Sequence, residues 1–210
     1  LTDIISFSGV HGSGKTTIIN DVANRLTNIG KKVFVLQEFP YIPDVPIGTM
    51  DFQAWYYTAM EQRSDVVKKL VGMFDVILLD RHPLDVDVYT SRLLNKQVRP
   101  IDIEKEVINM HRAYDRTHWI GRDPDRDWKE YTAMFLLERP YEDLVKSLQM
   151  RLITEGHRKN WNEEDSEYLM HIINTFRHFK ANDNTIFIEN KDLDDTKDLV
   201  FEHIIQRLKK

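Results

Sequence analysis

The stretch Ser8-Gly-Val-His-Gly-Ser-Gly-Lys-Thr-Thr17 decides the fold class of this chain. Gly9, Gly14, Lys15 and Thr16 stand in the GxxxxGK[ST] spacing of a phosphate-binding loop. In such a loop the glycines let backbone N–H groups curl round phosphate oxygens. The lysine reaches the outer phosphates, and the Thr16 hydroxyl is a ligand for Mg2+. The spacing alone also fits an ordinary glycine turn before a helix, so its context matters. Here the apolar run Ile4–Phe7 precedes it, and Ile18, Val22, Leu26 and Ile29 follow at helical spacing, closed by Gly30. A strand that feeds a glycine loop opening a helix aims the positive helix end at an anion.

Outward from the loop, apolar strands alternate with amphipathic helices. Val33–Leu36 reads as a strand, followed by a loop from Glu38 to Thr49 with three prolines. A helix is predicted from about Phe52 to Leu70, then the strand Val76–Leu79 and helices over 84–95 and 101–115. Residues 116–130, with Trp119 and Trp128, read as an irregular insertion. Beyond it come the strand Ala133–Leu137, the helix Tyr141–Ile153, a polar loop 154–165, a helix 166–180, the strand Thr185–Ile188 and a helix 194–208. This alternation predicts a three-layer α/β fold, a five-stranded parallel sheet flanked by helices. No linker or repeat divides the 210 residues, so one domain is expected.

Composition excludes several classes. Hydrophobic residues are 41% and charged residues 30%, a balance that argues against disorder. No apolar run nears the roughly 18 residues of a spanning helix, and no signal or transit segment is seen. The absence of cysteine removes disulfides, thiolate metal sites and cysteine nucleophiles, and a cytoplasmic location is expected. A net charge of −5 argues against a nucleic-acid partner, and with it against a polynucleotide kinase.

A second motif follows the third strand, where Asp75-Val-Ile-Leu-Leu-Asp-Arg-His82 runs apolar residues into Asp80. The carboxyl end of a parallel strand lies at the ligand crevice, so Asp80 is placed to hold Mg2+ opposite Thr16. A GTP switch would need aspartate where Asn190-Lys191-Asp192 is followed by Leu193, and glycine where Pro83 stands. Both are missing, and the switch reading fails. Glu38, just past the second strand, is a carboxylate able to accept the proton of an attacking hydroxyl. Arg81, which follows the metal-binding aspartate, is a cation able to neutralise charge on a transferring phosphoryl group, in addition to Lys15 of the loop.

Together, the glycine loop, Gln37-Glu38 before a proline-containing segment, Phe52-Gln53 and Asp80-Arg81-His82-Pro83 resemble the deoxynucleoside kinases. His11 and the Asp-Arg-His-Pro run are most similar to herpesvirus-type thymidine kinases, and thymidylate kinases share the fold. The resemblance implies ATP and Mg2+ as cofactors, with contacts from Gly9, His11, Gly12, Ser13, Gly14, Lys15, Thr16 and Thr17. It makes Glu38 the base for a sugar 5′-hydroxyl and Gln53 a hydrogen-bond partner of the nucleobase. Tyr56 and Tyr57 become an aromatic wall, although the spacing of Phe52, Trp55, Tyr56, Ala59 and Met60 is also that of plain core. Tyr89 contacts base or sugar. An arginine expected near position 60 is replaced by Met60, with Arg63 about one turn later. The adenine ring is expected near Asn190-Lys191-Asp192, a segment where backbone contacts carry more than side chains.

A mobile basic lid is read in the segment Met150–Asp165, with Arg151 at its base and Arg158 swung onto the phosphate about Gly156. The family has a denser set of arginines there. A homodimer is a family expectation. The acceptor reading is a deoxynucleoside, with a thymidylate-type monophosphate kinase as the alternative. An ATP-binding regulatory protein without transfer is the alternative of another class.

Overall fold

The computed structural model describes residues 2–38, 50–82, 132–155, 165–178 and 185–209, together with Asp85, Val86, Val88, Tyr89 and Ser91. The predicted helix 101–115, the insertion 116–130, Arg158 and most of the lid lie outside the described residues. So do the side chains of Gln53 and Tyr57.

Five strands, β1 (Asp3–Ser8), β2 (Val33–Leu36), β3 (Val76–Asp80), β4 (Ala133–Glu138) and β5 (Thr185–Glu189), form one sheet in the order β2-β3-β1-β4-β5. Every pairing is parallel. The helices described over their full length are α1 (Lys15–Asn28), α2 (Met50–Leu70), α3 (Tyr141–Glu155), α4 (Ser166–His178) and α5 (Leu193–Leu208). Each expected strand and helix among the described residues is present, apart from the predicted helix 84–95, most of which lies outside them. The ends differ by a few residues, because β1, β3, β4 and β5 each gain polar ends that an apolar run does not mark.

Alternation along β1 separates the two faces. Ile5 and Phe7 pack with Ile18, Ile19, Val22 and Leu26 of α1 and Val200 and Ile204 of α5. Phe7 stacks on Phe135 of β4 at 5.3 Å between ring centroids. Side chains of this size, fully buried, each contribute about 1.5–3 kcal/mol. On the other face, Tyr56 and Met60 of α2 join Val86, Val88, Tyr89 and apolar residues of α3 and α4. Helix α1 ends on Gly30 at φ 84°, whose N–H bonds the Thr27 carbonyl while the Lys31 N–H bonds that of Leu26.

The strand order places β1 centrally, with β3 on one side and β4 on the other. The chain leaves β1 to build one side and then crosses to the other, so the glycine loop at the carboxyl end of β1 sits at the switch point of the sheet. Phe7 is in register with Asp80, which delivers that carboxylate beside the loop. No helix among the described residues is long and apolar enough to cross a membrane.

Candidate active site at the carboxyl edge of the sheet

The loop closes on its own lysine. The Lys15 ammonium donates to the carbonyls of Gly9 at 2.8 Å and Val10 at 2.9 Å, and lies 3.4 Å from the Ser13 hydroxyl. Burial, then the nearby Arg81 charge, bring its pKa down to about 7. Gly9 has φ 130°, and a Cβ there would lie 2.2 Å from the Leu137 carbonyl oxygen, so only glycine fits between β1 and β4. Gly14 is the N-cap of α1, in left-handed conformation and without a side-chain cap. The first-turn amides are thereby left to an anion.

Thr16 donates to Asp80 Oδ2 at 2.6 Å. The second oxygen, Oδ1, is buried without a hydrogen-bond partner. A buried carboxylate oxygen with no donor, beside a hydroxyl, is a hard oxygen set that fits Mg2+ completed by phosphate and water. Among the described residues there is no cluster of three His, Cys, Asp or Glu that could hold a metal ion.

Arg81 is the hub of a polar network beside the loop. Its backbone has φ 86°, the only positive value among described non-glycine residues, a strain that persists only where surroundings over-determine it. Nε donates to Glu38 Oε1 at 2.9 Å. Nη1 faces the Gly9 carbonyl at 3.1 Å, with Asp85 Oδ2 and the Tyr89 hydroxyl each at 3.0 Å. Nη2 lies 3.1 Å from His11 Nδ1, and the His11 ring packs on Tyr89 at 4.9 Å. Asp85 is fully buried and also accepts from Ser8. Burial alone raises the pKa of Glu38, but the Arg81 and Lys15 charges outweigh it and hold the carboxyl below its usual value. Glu38 is therefore an ionised carboxylate, its side chain 36% exposed and its guanidinium partner buried.

The remaining expected residues fall in different places. Tyr56 is 6% exposed within the core cluster, as the plain-core spacing allows. Arg63 donates to the carbonyls of Leu36 at 3.1 Å and Asp80 at 2.7 Å, which ties α2 to the ends of β2 and β3. Arg151 is half-buried near the end of α3, and Thr17 is exposed on α1.

Three residues carry more than the sequence reading gave them. Asp85 is the buried counter-ion of Arg81. Arg139, directly after β4, donates to Ser147 at 2.6 Å and approaches the Gly12 carbonyl at 3.5 Å. The Asn190 side chain, discounted above, is buried and bonded to the glycine loop. Arg139 and Asn190 follow directly on the last residues of β4 and β5. Inspecting the residue after each strand would have found them.

His82 is buried as a neutral imidazole, its pKa lowered by burial from 6.5 to about 3. Below pH 6.5 the unfolded chain takes up a proton that the folded chain refuses. The His82 contribution is thus fully present above pH 6.5 and is lost as pH falls towards 3, by about 1.4 kcal/mol per unit. Urea midpoints measured between about pH 7 and 4 are expected to fall more steeply for the native chain than for His82→Gln. Equal slopes would contradict this.

Comparison with solved structures gives the class of fold. Thymidylate kinase from Candida albicans superposes with a TM-score of 0.63 at 14% identity, over 98% of this chain and 92% of that one. Deoxyadenosine kinase from M. mycoides, with bound dATP, gives 0.63 at 15% identity, over 96% and 98%. No protein-family model and no curated protein sequence matches the chain. The protein has the three-layer P-loop kinase fold.

Proposed function

We propose that this protein is an ATP- and Mg2+-dependent kinase that phosphorylates the 5′-hydroxyl of a deoxynucleoside. The observation that carries the reading is the Glu38–Arg81 pair, set against the Gly9 carbonyl of the phosphate loop. A loop of this kind alone implies only nucleotide binding. A partly exposed carboxylate held ionised near it supplies a base for the hydroxyl that would accept the γ-phosphoryl group.

The loop amides and Lys15 bind the ATP phosphates. Thr16 and Asp80 would hold Mg2+, which would supply charge neutralisation for the phosphates. The nucleoside 5′-oxygen forms a bond to the γ-phosphorus as the bond to the bridging oxygen of ADP breaks. The hydroxyl proton passes to Glu38, and Arg81 stabilises charge on the transferring group. Rigid placement matters most in such a loose transition state, and Arg81 cannot swing freely among its partners.

A nucleoside is preferred over a monophosphate on two grounds. Glu38 is flanked by Gln37 and Phe39, with no arginine beside it to grip an acceptor phosphate. Arg63, the cation nearest the ends of β2 and β3 on α2, is engaged by two backbone carbonyls. The two structural relatives are named for one acceptor of each kind and do not choose between them. The proposal takes the chain as one kinase domain, cytoplasmic and homodimeric, with Gln53 and Tyr89 towards the base, Tyr57 beside them and Arg158 in the lid. Steady-state comparison of thymidine, deoxycytidine, deoxyadenosine and dTMP as acceptors tests the preference. A nucleoside is expected to give the highest kcat/KM, and faster turnover of dTMP would overturn it.

A further inference from the structure

We propose that Asn190 is a positioning residue that sets the phosphate loop in its anion-binding shape. It stands directly after β5, is 2% exposed, and is bonded on both ends of its amide. Nδ2 donates to the Ser13 carbonyl at 2.8 Å, and Oδ1 accepts from Thr196 of α5 at 3.1 Å. Its backbone N–H donates to the Glu138 carbonyl at 2.6 Å, so the residue is fixed to β4 as well.

The stereochemistry gives this contact a consequence. A trans peptide is planar, with its C=O and N–H directed oppositely, and the described residues hold no cis bond. A side chain that holds the Ser13 carbonyl outward turns the Gly14 N–H the other way, into the curl closed by Lys15. Gly14 is free to accept this peptide orientation because its φ is 93°. The absence of a Cβ is needed too, since one would lie 2.7 Å from Asn190 Nδ2. Asn190 therefore acts on ATP through the loop, and its effect should belong to the phosphates and not to the base.

This inference rests on the loop as a phosphate site but not on the acceptor. The test is calorimetric titration of the intact protein with ATP and with inorganic tripolyphosphate, in Mg2+-free buffer. Asn190→Asp, which puts an oxygen against the Ser13 carbonyl, and Asn190→Leu are expected to weaken both ligands equally, by roughly tenfold or more. Thr196→Ser, which keeps the hydroxyl, should bind both as the native chain does. In the native chain the Gly14 amide resonance should move when tripolyphosphate is added, which needs no variant to fold. Unchanged affinity in both Asn190 variants, loss confined to ATP, or an unmoved Gly14 amide would each overturn the inference. Failure of every nucleoside as acceptor would sink the proposed function and leave this result standing.

Discussion

Glu38→Gln is expected to lower kcat by ~10²-fold or more while leaving the KM for ATP nearly unchanged. The amide keeps an oxygen for the Arg81 Nε–H, now at 2.9 Å from the carboxylate, so the local geometry survives the substitution. What is lost is the capacity to take a proton. Glutamine has no basic lone pair of the required strength, and the hydroxyl must then ionise into solvent. The effect should appear in kcat and kcat/KM together, because the proton moves only as the transition state forms. An ATP-binding regulatory protein predicts a different result, with turnover the same for both chains whatever acceptor is added.

Arg81→Leu is expected to cost about 3–5 kcal/mol of stability in addition to activity. It leaves Asp85, fully buried, without its cation, and removes donors from Glu38, Tyr89 and the Gly9 carbonyl at once. For a chain of this length the melting temperature should fall by on the order of 10 °C. Arg81→Lys separates the two roles. A lysine keeps one charge near Asp85 but cannot reproduce the planar fork that meets Glu38, Asp85, Tyr89 and His11 together. It should recover much of the stability and little of the turnover. Thermal melts and steady-state rates of the two variants check this, and recovery of both properties by lysine would argue that charge alone matters.

The fold was legible because parallel strands buried on both faces must be continuously apolar, as in Val76-Ile-Leu-Leu79, and each is followed by a helix of period 3.6. The left-handed Gly30 could be read for the same reason, since few other residues end a helix that way. The site was legible only where a motif fixes spacing. Thr16 and Asp80 meet because β1 and β3 are in register, and both are named by their motifs. Asp85 was not assignable, since the spacing after the Asp-Arg-His-Pro run does not choose between it and Asp87. Met60 and Arg63 show the same limit. Met60 is buried in the core, and the arginine three residues on reaches strand-end carbonyls, a use that helical spacing does not reveal. Asn190 was hidden because its partners, Ser13 and Thr196, are distant in sequence or across a turn.

The central claim is that the phosphate loop feeds an acceptor through Glu38. Its most direct test is a single-turnover reaction of the native chain with γ-labelled ATP, Mg2+ and a panel of deoxynucleosides. The predicted result is label in a nucleoside 5′-monophosphate, formed with ADP in equal amount and nearly absent in Glu38→Gln. Tight Mg2+-dependent ATP binding with no label transferred to any nucleoside or nucleotide would contradict it.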